Sequence, residues 1–417
     1  MKKNLGIYVH IPFCASKCAY CDFYSKADCE NLIPAYHAAV LQHIKESEQQ
    51  IDGYMTDSVY FGGGTPSYYG AGRLIQIFGA LKKYGNVLTD AEVTLEANPD
   101  SISYLDLVRL KKAGFNRLSL GVQCADDGIL KSLGRRHDFA AAERAFEDAR
   151  NAGFDNISLD LIYGLPSQTK DGWAETLMKA AALKPEHLSC YGLKIEKGTE
   201  LYMYKDSPFI PDDNAQADMY LYTVQTLKNY GYRQYEISNF AIRGRESVHN
   251  LKYWTGKEYM GFGAAAHSYV GGQRYSYIAD IEGYSRKVMS GETIVDQSEY
   301  MSAFELAGEY LMLRLRTVEG ISEQEYYEIF PSRFENLRRR LAFMTEHGLM
   351  EKRGDRWSLT TRGYLVSNLI INDLLEAQND ERSQIVNPWR KEEIEKNQIT
   401  MFKGERETME LFNGIAQ

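Results

Sequence analysis

Residues 6–21 read G-I-Y-V-H-I-P-F-C-A-S-K-C-A-Y-C, a short β-branched run, Gly6–Ile11, that empties into a loop carrying Cys14, Cys18 and Cys21. Six Cys in 417 residues is too sparse for a disulfide scaffold, so three thiols in C-x3-C-x2-C spacing point to a metal or to redox chemistry in a reducing compartment. Three thiolates this close can cap three irons of a cubane cluster and leave the fourth iron open to a substrate or cofactor. A structural zinc would ask for four protein ligands. His10 could be offered as the fourth, although the spacing is not that of a zinc ribbon. Cys29, Cys124 and Cys190 stand alone and read as packing or surface residues.

Outward from this strand and loop, five more strand candidates follow: Ser58–Phe61, Glu92–Ala97, Arg117–Val122, Asn156–Ile162 and His187–Ile195. Amphipathic stretches separate them. In 103–113, Ser103 and Asp106 form an S-x-x-D capping box and Gly114 supplies the stop; a second stretch runs over 139–152 and ends at Gly153. Repeated β-α units with apolar strands make a parallel sheet, either open or closed into a barrel. The strand ends decide between these. They carry Tyr8 and His10, then Gly62-Gly63-Gly64-Thr65, Glu96, Gln123, Asp160 and Lys194. A polar residue closing nearly every strand suits a barrel, where all the C-terminal ends face one mouth. In an open sheet only the switch-point strands need one. The expectation is an α/β fold with a partial (βα)6 TIM-like barrel over 1–240.

Beyond this the pattern changes. An extension over 241–300 carries H-N-L-K-Y-W at 249–254 and G-F-G-A-A-A-H at 261–267. Three helices (301–315, 322–330, 334–347), a hairpin across Gly354-Asp355 and a last helix suggest a winged-helix-like domain over 301–375. With 10 Lys/Arg against 11 Asp/Glu that module has little electrostatic support for binding DNA. Residues 376–417 read as a charged, loosely docked tail. The whole chain has 48 basic and 57 acidic residues, a formal net charge of −9, which argues against nucleic acid as a partner. The N-terminal apolar run is too broken for a signal peptide, and no uncharged stretch is long enough to span a bilayer. The expectation is a soluble, cytoplasmic protein.

The C-x3-C-x2-C loop with an aromatic before its third Cys (Tyr20) resembles the signature of the radical S-adenosylmethionine (SAM) enzymes. That resemblance implies a [4Fe-4S] cluster on Cys14, Cys18 and Cys21. SAM would chelate the open iron, and one electron would cleave its sulfur–carbon bond to give a deoxyadenosyl radical. Within the superfamily, Y-V-H-I-P-F-C, F-G-G-G-T-P-S, E-A-N-P-D, S-L-G-V-Q, L-G-R-R-H and D-L-I-Y-G-L-P resemble the oxygen-independent coproporphyrinogen III oxidases and their relatives, over about 6–375. The resemblance implies SAM contacts at Tyr8, Tyr20, Gly63, Gly64, Thr65, Glu96, Gln123, Arg135 and Asp160. Glycine lets backbone approach a ligand closely, a carboxylate suits ribose hydroxyls, and arginine suits a carboxylate.

Two departures point away from the decarboxylating oxidase. Its signature continues to a fourth Cys where this chain has Asp22-Phe23, and it has a longer segment before the first strand. With the H-N-x-x-Y-W motif, these features resemble the heme-chaperone branch of the family. The expectation is a protein that holds heme as cargo and passes it to apo-haemoproteins of the respiratory chain, with peripheral membrane association. His249 is the candidate heme ligand, since imidazole is a usual axial ligand and Trp254 could pack on the macrocycle; the same motif could simply anchor the loop leaving the barrel. His10 reads as structural, holding the cluster loop. The alternatives are oxidative decarboxylation of coproporphyrinogen III and a radical SAM methyltransferase that opens heme, so whether the chain is an enzyme stays open, and no catalytic residue is assigned.

Overall fold

The computed structural model describes residues 2–331 and 333–385, and the chain divides into two units, the first ending at Ser302 and the second starting at Ala303. In the first, β1 (Lys3–Ile11), β2 (Tyr54–Gly63), β3 (Val87–Ala97), β4 (Arg117–Gln123), β5 (Ile157–Tyr163) and β6 (His187–Gly192) lie side by side in chain order, each parallel to the next. This is the six-stranded (βα) arrangement that the polar strand ends predict. Short strands widen the sheet. β7 (Arg233–Gln234) and β8 (Asn239–Ala241) join antiparallel at the β6 edge. At the β1 edge, β9 (Tyr259–Phe262) runs parallel to β1, and β10 (His267–Val270), β11 (Gln273–Tyr277) and β12 (Val295–Tyr300) continue antiparallel. Residues 259–273, uncharged and rich in Gly and Ala, therefore lie within this sheet, between β1 and its outermost strand β12.

Local chemistry sets the helix boundaries. Ser103 caps 104–113 by accepting from Asp106 N (3.2 Å), and Gly114 stops it at φ 113°. Asp138 accepts from Ala141 N (2.7 Å) at the start of Phe139–Asn151. That helix buries Phe139, Ala142, Ala145, Phe146 and Ala149, spaced at three and four residues, on one face. Truncating a buried Phe such as Phe146 to Ala costs about 3–5 kcal/mol.

Between strands the register aligns inward-pointing residues in layers. Gly6, Ser58 and Glu92 stand level; Tyr8, Tyr60, Thr94 and Arg117 form the next layer up. Higher still, Ser119, Ser158 and His187 are level with one another, then Gly121, Asp160 and Ser189. The barrel interior is polar along its length, and the apolar core lies between sheet and helices, around Leu95, Leu120, Leu159, Phe115 and Trp173. Two expectations about β6 are corrected. It ends at Gly192 rather than at Ile195, because its neighbour β5 ends at Tyr163, level with Gly192, and Leu193 N to Tyr163 O (2.8 Å) is the last rung the two can share. Lys194 consequently lies beyond the strand and pairs with Glu196.

In the second unit, helix Ala303–Arg314, β13 (Ile321–Ser322), helices Glu323–Ile329 and Glu335–Glu346, and the hairpin of β14 (Met350–Arg353) and β15 (Arg356–Leu359) form a winged-helix-like fold with strand order β13-β15-β14. Leu311, Tyr326, Leu337, Leu341 and Trp357 fill its core. Residues 376–385 of the expected tail continue the helix Ser367–Ile385; the rest, 386–417, lies outside the described residues.

Candidate functional site

The cysteine loop is built by short-range hydrogen bonds. Lys26 N donates to Pro12 O (2.8 Å) and Cys14 N to Lys26 O (3.0 Å), which closes the loop at its base; Cys21 N returns to Cys18 O (3.1 Å). Phe13 stacks on Tyr69 and meets Tyr36 edge-on, locking the entry. His10 serves this loop from beneath. Its Nε2 bonds Tyr24 O (2.9 Å) and its Nδ1 bonds Tyr8 OH (2.9 Å), while burial lowers its pKa to about 4. A neutral imidazole with both nitrogens engaged is a strut, as the sequence suggested, and not a spare metal ligand.

All six cysteines are free thiols. Cys21 has its pKa raised by burial first, and Cys18 and Cys14 push it further the same way, the mark of three thiols sharing one space. A structural zinc asks for four protein ligands, and His10, the fourth that the sequence offers, has both ring nitrogens engaged. Three thiols that can each cap a different iron fit a cluster by the chemistry of the donor set. Cys124 and Cys190 are buried, Cys124 in a small apolar cluster against which Tyr20 packs, and Cys29 is half-buried.

The Gly62–Thr65 turn lies directly against this loop. Gly64 N donates to Ile11 O and Thr65 N to Phe13 O (both 2.8 Å), and Thr65 Oγ1 donates to Cys14 Sγ (3.5 Å). A Cβ on Gly64 would stand 2.9 Å from Cys14 Sγ, and Gly63 adopts φ +116° with the His10 ring 2.7 Å from where its Cβ would be. Neither position accepts a side chain. From the other side Arg135 reaches in. Its guanidinium donates to Asn98 Oδ1 (2.8 Å), Gly121 O (2.6 Å) and Cys18 Sγ (3.6 Å), and its buried Nε has no partner among the described residues. Tyr20 adjoins both Arg135 and Cys18; burial raises its hydroxyl pKa. Gln123 closes β4 at a bulge with φ +66°, in the left-handed region that non-glycine residues seldom occupy.

Deeper in the mouth, Glu96 accepts from Tyr60 OH (2.8 Å) and Gly63 N (3.2 Å). Burial pushes its pKa up to about 7 against these two donors. Asp160 accepts from Ser119 Oγ (2.8 Å) and Ser158 Oγ (3.1 Å), and burial raises its pKa as well. Tyr8 lies inside the barrel beside Tyr60, their rings stacked at 6.3 Å. The structure thus brings Thr65, Gly63, Gly64, Arg135 and Tyr20 against the cysteine loop, with Glu96, Asp160 and Tyr8 below. Sequence reasoning passed over Asn98, which accepts from Arg135 and donates to Thr65 Oγ1 (3.3 Å), and Ser119 and Ser158, which hold Asp160. Period-2 counting back from Asp160 finds Ser158; Asn98 follows Glu96 by two residues in E-A-N-P-D, and its bridge from Arg135 to Thr65 is made only across the fold.

His249 is elsewhere. It lies in the short helix Val248–Trp254 at the opposite end of the barrel, fully buried. Nδ1 bonds Ser58 Oγ (3.0 Å), Nε2 bonds Tyr253 OH (2.9 Å), and the ring stacks on Tyr60 at 5.3 Å. Glu92 accepts from the backbone of Val248 (3.1 Å) and His249 (3.0 Å), and Lys252 pairs with Asp57 (2.7 Å). Burial holds the imidazole pKa near 3. Trp254 is buried too, 7% exposed, so it offers no open face to a macrocycle.

A parallel barrel whose first strand feeds a three-thiol loop, ringed by glycine, carboxylate and arginine at the strand ends, defines a radical SAM protein. Consistent with this, the model of the radical SAM superfamily matches residues 8–180 and that of the HemN C-terminal domain matches 301–366. The chain is 34% identical to heme chaperone HemW of Bacillus subtilis over 88% of its own length and 98% of the relative's. It is 33% identical to that of Haemophilus influenzae (89% and 97%) and 32% to that of Escherichia coli (89% and 97%). It belongs to the HemW family of heme chaperones. The fold matches coproporphyrinogen III oxidase (HemN) from Escherichia coli with a TM-score of 0.79 over 90% of each chain, at 23% identity. Membership in the superfamily implies a [4Fe-4S] cluster and SAM. No helix among the described residues is long and apolar enough to cross a membrane.

Proposed function

We propose that the chain is a cytoplasmic heme chaperone with a radical SAM core, which binds heme and passes it to apo-haemoproteins of the respiratory chain while docked peripherally at the membrane. The observation that carries this reading is similarity to curated heme chaperones along nearly their whole length. A second feature supports it over the oxidase: Phe23, 44% exposed, stands where the oxidase signature has its fourth cysteine.

In this reading Cys14, Cys18 and Cys21 hold the cluster, and Tyr8, Tyr20, Gly63, Gly64, Thr65, Glu96, Gln123, Arg135 and Asp160 form the SAM site. When bound, cluster and cofactor supply a reducing electron and a radical source. The chain's own residues do the rest. Gly63 and Gly64 let their turn pack against the His10 ring and Cys14 Sγ, where a Cβ would clash, and so hold the cysteine loop beside the site. Arg135, held by Asn98 and the Gly121 carbonyl, presents a fixed cation to a carboxylate. Asp160, kept in place by two serine hydroxyls, has oxygens of the right kind for ribose hydroxyls. For His249, the hydrogen bonds at both ring nitrogens support the loop-anchor role over that of heme ligand.

The test is anaerobic cluster reconstitution followed by two parallel assays, loss of coproporphyrinogen III and heme transfer to an apo-cytochrome. Transfer without porphyrinogen loss is the expected result; porphyrinogen turnover would overturn the proposal.

A further inference from the structure

A long loop leaves β6 after Gly192 and ends at the helix Asp213–Asn229. Three backbone hydrogen bonds pin it across the mouth of the barrel. Leu193 N donates to Tyr163 O (2.8 Å), Leu201 N to Ala19 O (2.8 Å), and Ser167 N to Phe209 O (2.7 Å). The second ties the loop to the cysteine loop itself, between Cys18 and Cys21. Leu201, 6% exposed, is its apolar anchor. Beyond that anchor the chain turns outward through the 3-10 helix Glu200–Tyr204, and Ser207 N bonds Tyr204 O (2.9 Å) to keep the turn compact.

On this pinned turn Met203 is 84% exposed, Tyr204 58% and Phe209 67%. Single exposed apolar side chains are ordinary. Three within seven residues, on backbone that is held in place, mark a surface built to meet something apolar. The side chains narrow what that is. A thioether is a soft ligand that haem iron accepts, phenol and phenyl rings offer flat faces to a macrocycle, and the ammonium groups of Lys197 and Lys205 on the same loop complement a pair of carboxylates. Lys205 stands over the Tyr202 ring at 5.0 Å, on the exposed side of the turn. An iron porphyrin has each of these features: a soft metal at the centre, a flat apolar body and two propionates at one edge.

Resting on the heme-chaperone reading above, we infer that this loop is where heme is held, with Met203 ligating the iron, Tyr204 and Phe209 packing on the macrocycle and Lys205 meeting a propionate. A site on the rim also suits a cargo that must be surrendered, since exposed contacts release faster than buried ones.

The experiment titrates the full-length, cluster-reconstituted chain with dithionite-reduced heme under anaerobic conditions, reading the Soret and α bands, with iron–sulfur content and SAM binding recorded alongside. Met203→Ala should weaken heme binding by about tenfold or more and shift the Soret band. Met203→His should bind heme with a spectrum changed to nitrogen ligation. Met289→Ala, which removes another exposed Met (61%) on the helix Ile281–Ser290, should behave as the parent. Iron-free protoporphyrin IX should bind the parent more weakly than heme. If the parent binds heme and both Met203 variants keep its spectrum and affinity, or if iron-free porphyrin binds equally well, the loop assignment falls and the chaperone reading stands. If the parent binds no heme, the chaperone reading itself falls and takes the assignment with it.

Discussion

The two ends of the barrel are both crowded with buried polar side chains, yet they do different work. At the mouth, Arg135 Nε has no partner among the described residues and the thiols make only weak contacts, Cys14 with Thr65 and Cys18 with Arg135, while Gly63 and Gly64 pack too closely on His10 and Cys14 to carry a side chain. At the floor, His249, Ser58, Tyr253, Glu92, Lys252 and Asp57 bond one another. A polar group left open in a concave place awaits a ligand; one closed by its neighbours holds the chain. Arg117 is the floor's exception. It is 1% exposed, flanked by Glu92, Tyr60 and Asp160, and its Nε and Nη1 have no hydrogen-bond partner among the described residues. Buried water is the ordinary way to satisfy such groups.

The sharpest way to break this contrast is at the thiols. Ala at Cys14, Cys18 or Cys21 should abolish cluster assembly, read as loss of labile sulfide and iron–sulfur absorbance, while Ala at Cys29, Cys124 or Cys190 should leave it intact. One zinc and no sulfide in anaerobically purified protein would sink the cluster. At the floor the expected loss is of stability. His249→Ala strands the Ser58 and Tyr253 hydroxyls in a buried space, which should cost about 3 kcal/mol in denaturant unfolding of the apo-protein. A cost near zero would mean that the floor is not an anchor.

Next in size, Asp160→Ala should weaken SAM binding by roughly 1.5–3 kcal/mol, the scale of a hydrogen bond to a charged group, measured by calorimetry on the reconstituted protein. Unchanged affinity there and in the Glu96, Gln123 and Arg135 variants would show that these strand ends do not share one ligand.

The smallest effect is a pH dependence. Glu96 has a folded pKa of about 7, above the 4.5 ordinary for the group. A raised carboxyl pKa means that folding favours the protonated form. Its contribution to stability is full below about pH 4.5 and is lost as pH rises through about 7. Glu96→Gln should therefore gain on the parent by about 1–2 kcal/mol between pH 6 and pH 8, seen in paired melts of the apo-protein. A constant difference across that range would place the titration elsewhere, with Glu236, buried and raised to about 7, the first alternative.

Much of this molecule could be read along the chain, because its signals are local. Six strands with polar ends, a capping box at Ser103, glycine stops and three cysteines in eight positions need no knowledge of what lies nearby in space. Those determined the barrel, the cluster loop and the winged-helix-like order of helices and hairpin. Whatever depended on which side chains meet across the fold did not show. The strands at 259–277 carry no strand signal of their own because pairing, of β9 with β1 and of β10 and β11 with their neighbours, makes them strands rather than propensity. His249 had the composition of a ligand, and only the closeness of Ser58 and Tyr253, 191 residues and 4 residues away in sequence, uses up both its nitrogens. Asn98 became a bridge between Arg135 and Thr65 for the same reason. The sequence by itself determined which elements form and which chemistry the chain carries. The tertiary structure decided which polar groups are spent on one another and which are left open, since a hydrogen bond is a fact about distance in space.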